Sequence, residues 1–384
     1  MRTISHHVCG VVPPHILTKV AEQTNHTAHE AARSTLEQMR ELATARASTF
    51  LDRSAPAAKA EAPKRKRNVY DAQHAWKLPG KLVTSEHKPR SGDAEINEAY
   101  DGAGATFDFF ANVFGRNSID NRGLRIDSTV HFGTQFDNAM WTGHQLVYGD
   151  GDGRLFNRFT SSLDVIGHEL THGVTQYTAA LGYTGQNGAL NEHLSDAFGI
   201  MVKQYKLGQS VTESDWLIGA SLLTPGVHGR AIRSMAAPGT AYDDPILGRD
   251  PQPAHMRDYV DTPSDNGGVH LNSGIPNHAF YLAAITLGGR TWEVLGRVWY
   301  ATLTTRLRPD ADFGDFVRAT VDIAGELYGN GGRVQRIVAD AWGAVGIGVR
   351  AVTASRAIPS VPRPATRAVS ARKAAAKWRR RPAR

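Results

Sequence analysis

The chain has 384 residues, of which 41% are hydrophobic and 21% charged, a balance that favours a globular protein of two or three domains over a disordered one. No apolar run approaches the roughly 18 residues of a membrane-spanning helix, and the single cysteine, Cys9, excludes a disulfide within the chain. The net charge of +7 comes from residues 351–384, which carry ten Lys or Arg and no Asp or Glu, so it indicates no nucleic-acid partner for the rest of the chain.

Residues 1–50 are rich in helix formers and poor in helix breakers, which predicts a small helical unit. The first fifteen residues lack the long apolar run of a secretory signal, so secretion would need another route, and a cytoplasmic location is the alternative. Residues 51–67 are rich in Ala, Pro and charge and are expected to form an exposed linker. A change of composition at Asn68 predicts a domain boundary.

Residues 68–155 mix alternating segments with turns. The spacing of apolar residues predicts a helix over 93–114, and the β-branched alternation of 124–132 predicts a strand. The run YGDGDG at 148–153 has a superficial likeness to a calcium-binding loop. Arg154 stands where a ligand is needed and the closing Glu is missing, so a glycine turn is the better interpretation.

From Ser161 to about Ala344 the pattern becomes mainly helical. Strands first and helices later predict an α+β fold with a β-rich N-terminal lobe, a mainly helical C-terminal lobe and a cleft between them. Residues 351–384 are rich in Ala, Pro and Arg and are predicted to be a disordered basic tail.

The central motif is His168-Glu169-Leu170-Thr171-His172, within an amphipathic helical pattern. The two histidines are four residues apart, so both imidazoles project from one helix face and can bind one zinc ion. Glu169 is rotated by about 100° from His168, so it misses the metal but can reach a metal-bound water as a general base.

A third metal ligand follows in GALNEHLSDAFG, where nineteen residues separate Glu192 from His172. This segment is also helical, and Asp196 lies four residues further on the same face. Glu192 can complete the zinc site, and Asp196 can accept a hydrogen bond from the far nitrogen of a ligand histidine. His193 points about 100° away from Glu192 and is predicted to be structural or exposed.

HELTH and GALNEHLSD, with the nineteen-residue gap, resemble the zinc pattern of thermolysin-like neutral metalloproteases. The resemblance covers residues 68–348 and implies one zinc ion per chain. It also implies a two-lobed zincin fold, with an N-terminal lobe over 68–180 that includes the HELTH helix and a helical lobe over 181–350. Zinc aminopeptidases share HExxH but have a slightly shorter gap and a GxMEN-type motif that this chain lacks.

The same resemblance implies the substrate-binding residues. DNAMWTGHQLVYGDGDG at 137–153 looks like the strand at the substrate edge, where Asn138 and Ala139 would bind the substrate backbone. IRSM at 232–235 places Arg233 as the arginine that grips a substrate carbonyl.

The remaining catalytic roles are also implied by the resemblance. Tyr183 stands at the position of a tyrosine that helps to hold the oxyanion. DNGGVH places His270 as a hydrogen-bond donor to the transition state, with Asp265 orienting it. The implied function is an endopeptidase that cleaves peptides or proteins before bulky apolar residues, and we expect a monomer.

Thermolysin itself has a double calcium site near its zinc-binding helices, whose positions fall here on Asp164, Lys203, Asp215, Leu217 and Ala220. Only two carboxylates remain, whereas calcium takes about six to eight oxygen ligands, and a lysine places a cation where the ion should bind. We therefore expect no calcium there. Ser161 to Asp164 also fits a helix-capping box, which gives Asp164 an ordinary role.

The N-terminal segment CGVVPPHIL at 9–17, followed by helix, resembles the short propeptide of protealysin-type members of the family. This implies a zymogen that cuts its own linker near Val69, with a new N-terminus between Lys64 and Tyr70. A Cys9 thiolate could cap the zinc in the precursor, but an inert thiol is the favoured interpretation.

Two alternatives stay open. The first is a zinc aminopeptidase, which cleavage of a substrate with a blocked N-terminus would exclude. The second is a non-catalytic protein whose basic tail holds a polyanion, against which the presence of Glu169, Tyr183 and His270 argues.

Overall fold

The computed structural model describes residues 10–23, 27–48 and 63–348. Its helices are α1 (Pro14–Glu22), α2 (His29–Ser48), α3 (Ala94–Phe114), α4 (Leu163–Gln176), α5 (Gly185–Leu207), α6 (Asp265–Asn272), α7 (Gly274–Leu287), α8 (Leu295–Thr305), α9 (Phe313–Tyr328) and α10 (Arg333–Ala344). Its strands are β1 (Arg67–Asp71), β2 (Lys81–Ser85), β3 (Ile126–Val130), β4 (Ala139–Trp141), β5 (Leu146–Tyr148), β6 (Leu217–Ile218), β7 (Arg233–Ser234), β8 (Asp243–Asp244) and β9 (Gly248–Arg249). None of the described helices is both long and apolar enough to span a bilayer.

The N-terminal lobe is built on a five-stranded sheet in the order β2-β1-β3-β5-β4. The β1–β3 and β3–β5 pairs are parallel, and β1–β2 and β4–β5 are antiparallel. Helix α3 begins where Asp93 Oδ1 accepts hydrogen bonds from the backbone nitrogens of Glu95 and Ile96, and it ends at Gly115 in the left-handed conformation. This mixed sheet leaves β4 at an edge, where its backbone can pair with another extended segment.

Helices α4 and α5 lie antiparallel at the centre of the molecule, and nearly all of α4 is buried. Two glycines allow this close approach: a Cβ on Gly199 would lie 2.5 Å from the carbonyl oxygen of Asp164, and one on Gly167 would lie 3.1 Å from the Cα of Gly199. The contact brings the face of α4 that carries HELTH against the start of α5.

The C-terminal lobe is a set of helices around an aromatic core. The Trp299 and Trp342 rings stack at 6.1 Å, and Phe316 packs edge-on against both. The predicted α+β fold, with a β-rich N-terminal lobe and a helical C-terminal lobe, is confirmed.

Two local predictions are wrong. Helix α4 begins at Leu163 with Ser162 as its N-cap and no side-chain capping bond, so Ser161 and Asp164 form no capping box. Ser162 Oγ instead donates to Asp164 Oδ1 at 2.5 Å. The expected exposed linker also ends earlier than Arg67, because this residue is 6% exposed and starts β1.

Arg67 is drawn into the fold by its partners. Its Nε donates to Glu86 Oε1 at 2.6 Å, and its guanidinium lies over the Tyr100 ring at 3.7 Å. The boundary expected at Asn68 therefore falls inside a strand.

Cys9, residues 51–62 and the basic tail lie outside the described residues, so the predictions made for them stay predictions.

Candidate active site

Helices α4 and α5 bring together the three predicted metal ligands. His168 Nε2 and His172 Nε2 are 3.0 Å apart, and Glu192 oxygens lie 3.5 Å from the first and 3.4 Å from the second. Bonds of about 2.0–2.2 Å to a tetrahedral zinc would place ligand atoms roughly 3.3–3.6 Å apart, which these spacings match within a few tenths of an ångström. Two imidazoles and one carboxylate are therefore a fitting donor set for zinc.

The far nitrogen of each histidine is also held. His168 Nδ1 lies 2.8 Å from Asp196 Oδ1, as predicted for the carboxylate on the same helix face. His172 Nδ1 lies 2.9 Å from Asn191 Oδ1 and 3.1 Å from Ser195 Oγ. Donation from Nδ1 leaves the Nε2 lone pairs facing the metal position. The sequence interpretation missed Asn191, whose place directly before Glu192 was the available signal.

Asp196 is the centre of a buried polar network. Arg233 donates to both carboxylate oxygens at 2.8 and 2.9 Å, and Asn277 Nδ2 donates at 2.8 Å. Burial alone would raise the pKa of Asp196, but the charges of Arg233 and His168 lower it far below its usual value. An ionised carboxylate thus orients His168.

Glu169 lies beside the metal ligands without joining them. The residue is fully buried, and its Oε2 accepts a hydrogen bond from the Trp141 backbone nitrogen at 2.7 Å. Burial raises the pKa of Glu169 well above its usual range, and the nearby Glu192 carboxylate adds to the effect. Burial would also raise the pKa of Glu192, but His270 and the two ligand histidines lower it to about 2.

Tyr183 and His270 lie on the other side of Glu192. The Tyr183 hydroxyl donates to Glu192 Oε1 and lies 3.5 Å from His270 Nε2. Asp265 accepts from the His270 backbone nitrogen at 2.8 Å and lies 2.6 Å from its Nδ1. Burial opposes a charge on His270, but the charges of Asp265 and Glu192 outweigh it and raise the His270 pKa.

The predicted substrate-binding residues hold part of the chain itself. Val11 N donates to the Ala139 carbonyl at 3.1 Å, and Gly10 forms an antiparallel bridge with Met140 in β4. Asn138 pairs with both backbone groups of Val12 at 3.0 and 3.1 Å. Residues 10–12 therefore lie along the edge strand β4, joined to it by an isolated bridge and by hydrogen bonds.

The carbonyl of Val11 accepts a hydrogen bond from Arg233 Nη1 at 2.8 Å. A Cβ on Gly10 would lie 2.5 Å from the Asn138 side chain, so this close approach requires glycine. The sequence indicated a propeptide but not that its backbone would occupy the cleft.

Helices α1 and α2 anchor this segment to both lobes. Ile16, Leu17 and Val20 are fully buried on one face of α1. His15 Nε2 lies 3.1 Å from the Tyr242 hydroxyl of the C-terminal lobe, and Thr35 Oγ1 accepts from the Asp137 nitrogen of the N-terminal lobe at 2.9 Å.

Lys203 lies at the position that corresponds to the double calcium site of thermolysin, where we expect no calcium. Its Nζ lies 3.0 Å from Asp164 Oδ2, 2.8 Å from Asp215 Oδ2 and 3.4 Å from the Leu217 carbonyl oxygen. Burial would lower the pKa of Lys203, but Asp164 and Asp215 outweigh it and raise the pKa above its usual value. The ammonium group therefore stays charged between the two carboxylates.

Two other predicted features have structural roles. His193 is fully buried between Asn277 Oδ1 at 2.8 Å and Trp299 Nε1, which donates to it at 2.8 Å. In the glycine turn, Asp152 Oδ1 accepts backbone hydrogen bonds from the three residues that follow Gly153.

Two family models match the chain. The model described as the thermolysin metallopeptidase catalytic domain matches residues 39–176, and the one described as the thermolysin metallopeptidase alpha-helical domain matches residues 179–347.

Relatives of similar length carry related descriptions. The chain is 50% identical over 344 residues to an extracellular metalloprotease of Pectobacterium carotovorum subsp. carotovorum, covering 89% of this chain and 97% of the relative. It is 44% identical over 347 residues to protease PrtS of Photorhabdus sp. (strain Az29), covering 89% and 92%. The solved precursor of protealysin from Serratia proteamaculans is 47% identical, with a TM-score of 0.78 over 88% of this chain and all of that one.

Proposed function

The chain belongs to the thermolysin metallopeptidase family and is a metalloendopeptidase of the protealysin type, and we propose that Glu169 is its general base and that residues 10–12 hold it latent. The observation that carries the proposal is the cluster of His168, His172 and Glu192 with Glu169 beside it. Zinc bound there would lower the pKa of its water and polarise the substrate carbonyl.

Proton transfer falls to Glu169. Its Oε2 is fixed by the Trp141 nitrogen, so Oε1 is the oxygen directed to the reacting water. Oε1 makes no hydrogen bond among the described residues. The carboxylate takes the proton of the water and passes it to the leaving amine.

The developing oxyanion has two proposed donors. The Tyr183 hydroxyl and His270 Nε2 both face the Glu192 side of the metal position. Asp265 accepts from His270 Nδ1, and the raised pKa of His270 favours the protonated ring, in which Nε2 also carries a proton to donate. Donors that are already in position stabilise the transition state without reorganisation.

Substrate binding is proposed from the contacts of residues 10–12. A peptide that paired with β4 as Val11 does would receive hydrogen bonds from Asn138 and Arg233 in the same way. The precursor is therefore latent because its own backbone occupies these groups. A preference for cleavage before bulky apolar residues stays an implication of the resemblance.

Maturation requires a cut between α2 and the sheet. Cleavage near Val69 conflicts with the fold, because Val69 is 1% exposed and pairs with Ser128 and Thr84 on both sides of β1. Residues 63–66 are exposed, so we propose self-cleavage before Arg67. The wild-type chain should shorten by about 7 kDa, from about 110 Da per residue for an average composition.

Maturation is tested by mass spectrometry on wild type and Glu169→Gln prepared in parallel. The inactive variant should stay full length, while the wild type gains an N-terminus at or before Arg67. Equal processing of both in a protease-free preparation would exclude self-cleavage.

The activity itself is tested with casein and with a peptide whose N-terminus is blocked. Both should be hydrolysed, and a zinc chelator should stop hydrolysis until zinc is restored. Cleavage of unblocked peptides alone would favour an aminopeptidase.

We also propose that the enzyme acts outside the cell, as the name of the Pectobacterium relative states for that protein. Secretion without a recognisable signal peptide, one zinc per chain and a monomeric state stay predictions.

A further inference from the structure

A second group of metal-ligating side chains lies in the N-terminal lobe, outside the active site. We call it the sheet-edge cluster, and it comprises His74, Asp93, Glu95, His131 and Asp150. Its members come from four segments: the loop after β1, the start of α3, the residue after β3 and the loop after β5. The mechanism above uses none of them.

The spacing of the donor atoms resembles that of the catalytic ligands. His131 Nδ1 lies 3.0 Å from Asp150 Oδ1 and 3.4 Å from Glu95 Oε2, and His74 Nδ1 lies 3.2 Å from Asp150 Oδ2. The distances between catalytic ligand atoms are 3.0 to 3.5 Å. The ligand atoms of His74, His131 and Asp150 lie within 4.8 Å of one another, as do those of the catalytic ligands.

The outer contact of His131 also resembles that of a ligand histidine. His131 Nε2, which points away from Asp150, lies 3.0 Å from Asp93 Oδ2. The other oxygen of Asp93 caps α3, which fixes the carboxylate in place. His168 is held in the same way by Asp196, with the two ring nitrogens exchanged.

A simple ion pair leaves part of the cluster unexplained. A protonated His131 between Asp93 and Asp150 accounts for its two shortest contacts. It does not account for His74, whose side chain is 60% exposed yet turned onto Asp150. Glu95 Oε2 faces His131 and the Asp150 carboxylate, and burial together with a hydrogen bond to Asp150 raises the Glu95 pKa to about 8.

We propose that the sheet-edge cluster binds a divalent transition-metal ion through His74 Nδ1, His131 Nδ1 and the carboxylates of Asp150 and Glu95. Two imidazoles favour zinc or a similar metal over calcium, which prefers an all-oxygen shell. The ion would neutralise the facing carboxylates and join four segments of the N-terminal lobe. Since Asp150 follows β5, which pairs with β4, the ion would brace the strand that lines the cleft.

The test counts zinc ions bound per full-length chain after dialysis, with His74→Ala as the main variant. His74 is exposed, so its removal should leave the fold intact. The matched control is His87→Ala, because His87 is also exposed, also has a positive φ and lies on the same lobe outside the cluster. Glu95→Gln, which keeps the size of the side chain, is the second variant.

We expect one zinc more in wild type and His87→Ala than in His74→Ala and Glu95→Gln, with the catalytic zinc kept in all four. Zinc binding to the second site should weaken at least tenfold in both cluster variants, by analogy with the effect of altered metal-site residues. Added zinc, but not calcium, should raise the melting temperature of metal-free wild type more than that of His74→Ala.

The proposal is overturned if wild type and His74→Ala bind the same number of zinc ions with the same affinity. It is also overturned if calcium gives the same stabilisation as zinc. Either result would leave the cluster as a network of ion pairs.

Discussion

Helices α4 and α5 hold two polar clusters that differ in the source of the cation balancing their negative charge. Near the middle of the pair, His168, His172 and Glu192 present lone pairs and a negative charge that call for an external cation. At the other end, Lys203 places its own ammonium group between Asp164 and Asp215. A cation supplied by a side chain cannot dissociate, so we expect that end to be stable without a bound ion, whereas we expect the catalytic end to depend on one.

The largest effect is expected from removing one of the three metal ligands. His172→Ala, and likewise His168→Ala or Glu192→Ala, should remove most zinc and all measurable peptidase activity, because two protein ligands hold zinc poorly. Metal analysis of dialysed protein and casein hydrolysis measure the two losses. His278→Ala is a control, since this histidine is half-buried on α7 and lies outside the cluster. A Glu192→Ala variant with unchanged zinc affinity would remove Glu192 from the ligand set.

The second expected effect separates chemistry from metal binding. Glu169→Gln should lower kcat by about a thousandfold or more while the zinc content stays at the wild-type level, because the amide cannot take a proton. Near-normal turnover with full zinc occupancy would show that another group is the base.

Much of the catalytic cluster could be predicted from the sequence because it depends on local geometry. Ligands four residues apart on a helix must share a face, which placed His168 with His172 and Glu192 with Asp196. The contact of Asp196 with His168 was inferred in this way and measures 2.8 Å. No pattern along the chain showed that Asp196 would also receive Arg233 and Asn277, which lie 37 and 81 residues away.

The predictions that were wrong have one cause, which is that contacts between residues far apart in the sequence override the local pattern. Ser161 to Asp164 fits the local capping pattern, but Asp164 has a stronger partner in Lys203, 39 residues away. Arg67 ends a basic run that looks exposed, but Glu86 and Tyr100 bring it into the sheet. The contact between Arg233 and Val11 spans 222 residues, so only the folded chain shows that the N-terminal segment lies in the cleft.

The third expected effect comes from replacing Lys203, whose ammonium group is the cation at this end of the helix pair, so that calcium can take its place. Lys203→Met should destabilise the protein by about 3 kcal/mol, because the buried Asp164 loses its partner. Lys203→Glu should be destabilised at least as much without calcium, and calcium should restore part of the loss, since a third carboxylate then faces Asp164 and Asp215. Thermal unfolding with and without calcium measures both. Lys206→Met, which changes an exposed lysine on the same helix, is the control.

The smallest expected effect is that of calcium removal on the melting temperature of the wild-type protein, which should hardly change. Removing calcium with a chelator that spares zinc should shift the melting temperature by less than about 2 °C, which corresponds to roughly 1 kcal/mol for a chain of this size. The reason is that Nζ of Lys203 lies within 3.0 Å of a carboxylate oxygen of both Asp164 and Asp215, so a calcium ion would have to displace a charged group that is already paired. The Lys203→Glu variant measured in the same titration provides the positive response. A large calcium-dependent rise in wild type would mean that oxygen ligands elsewhere in the chain form a site, and the contrast between the two ends of α4 and α5 would then not explain the ion requirement of the enzyme.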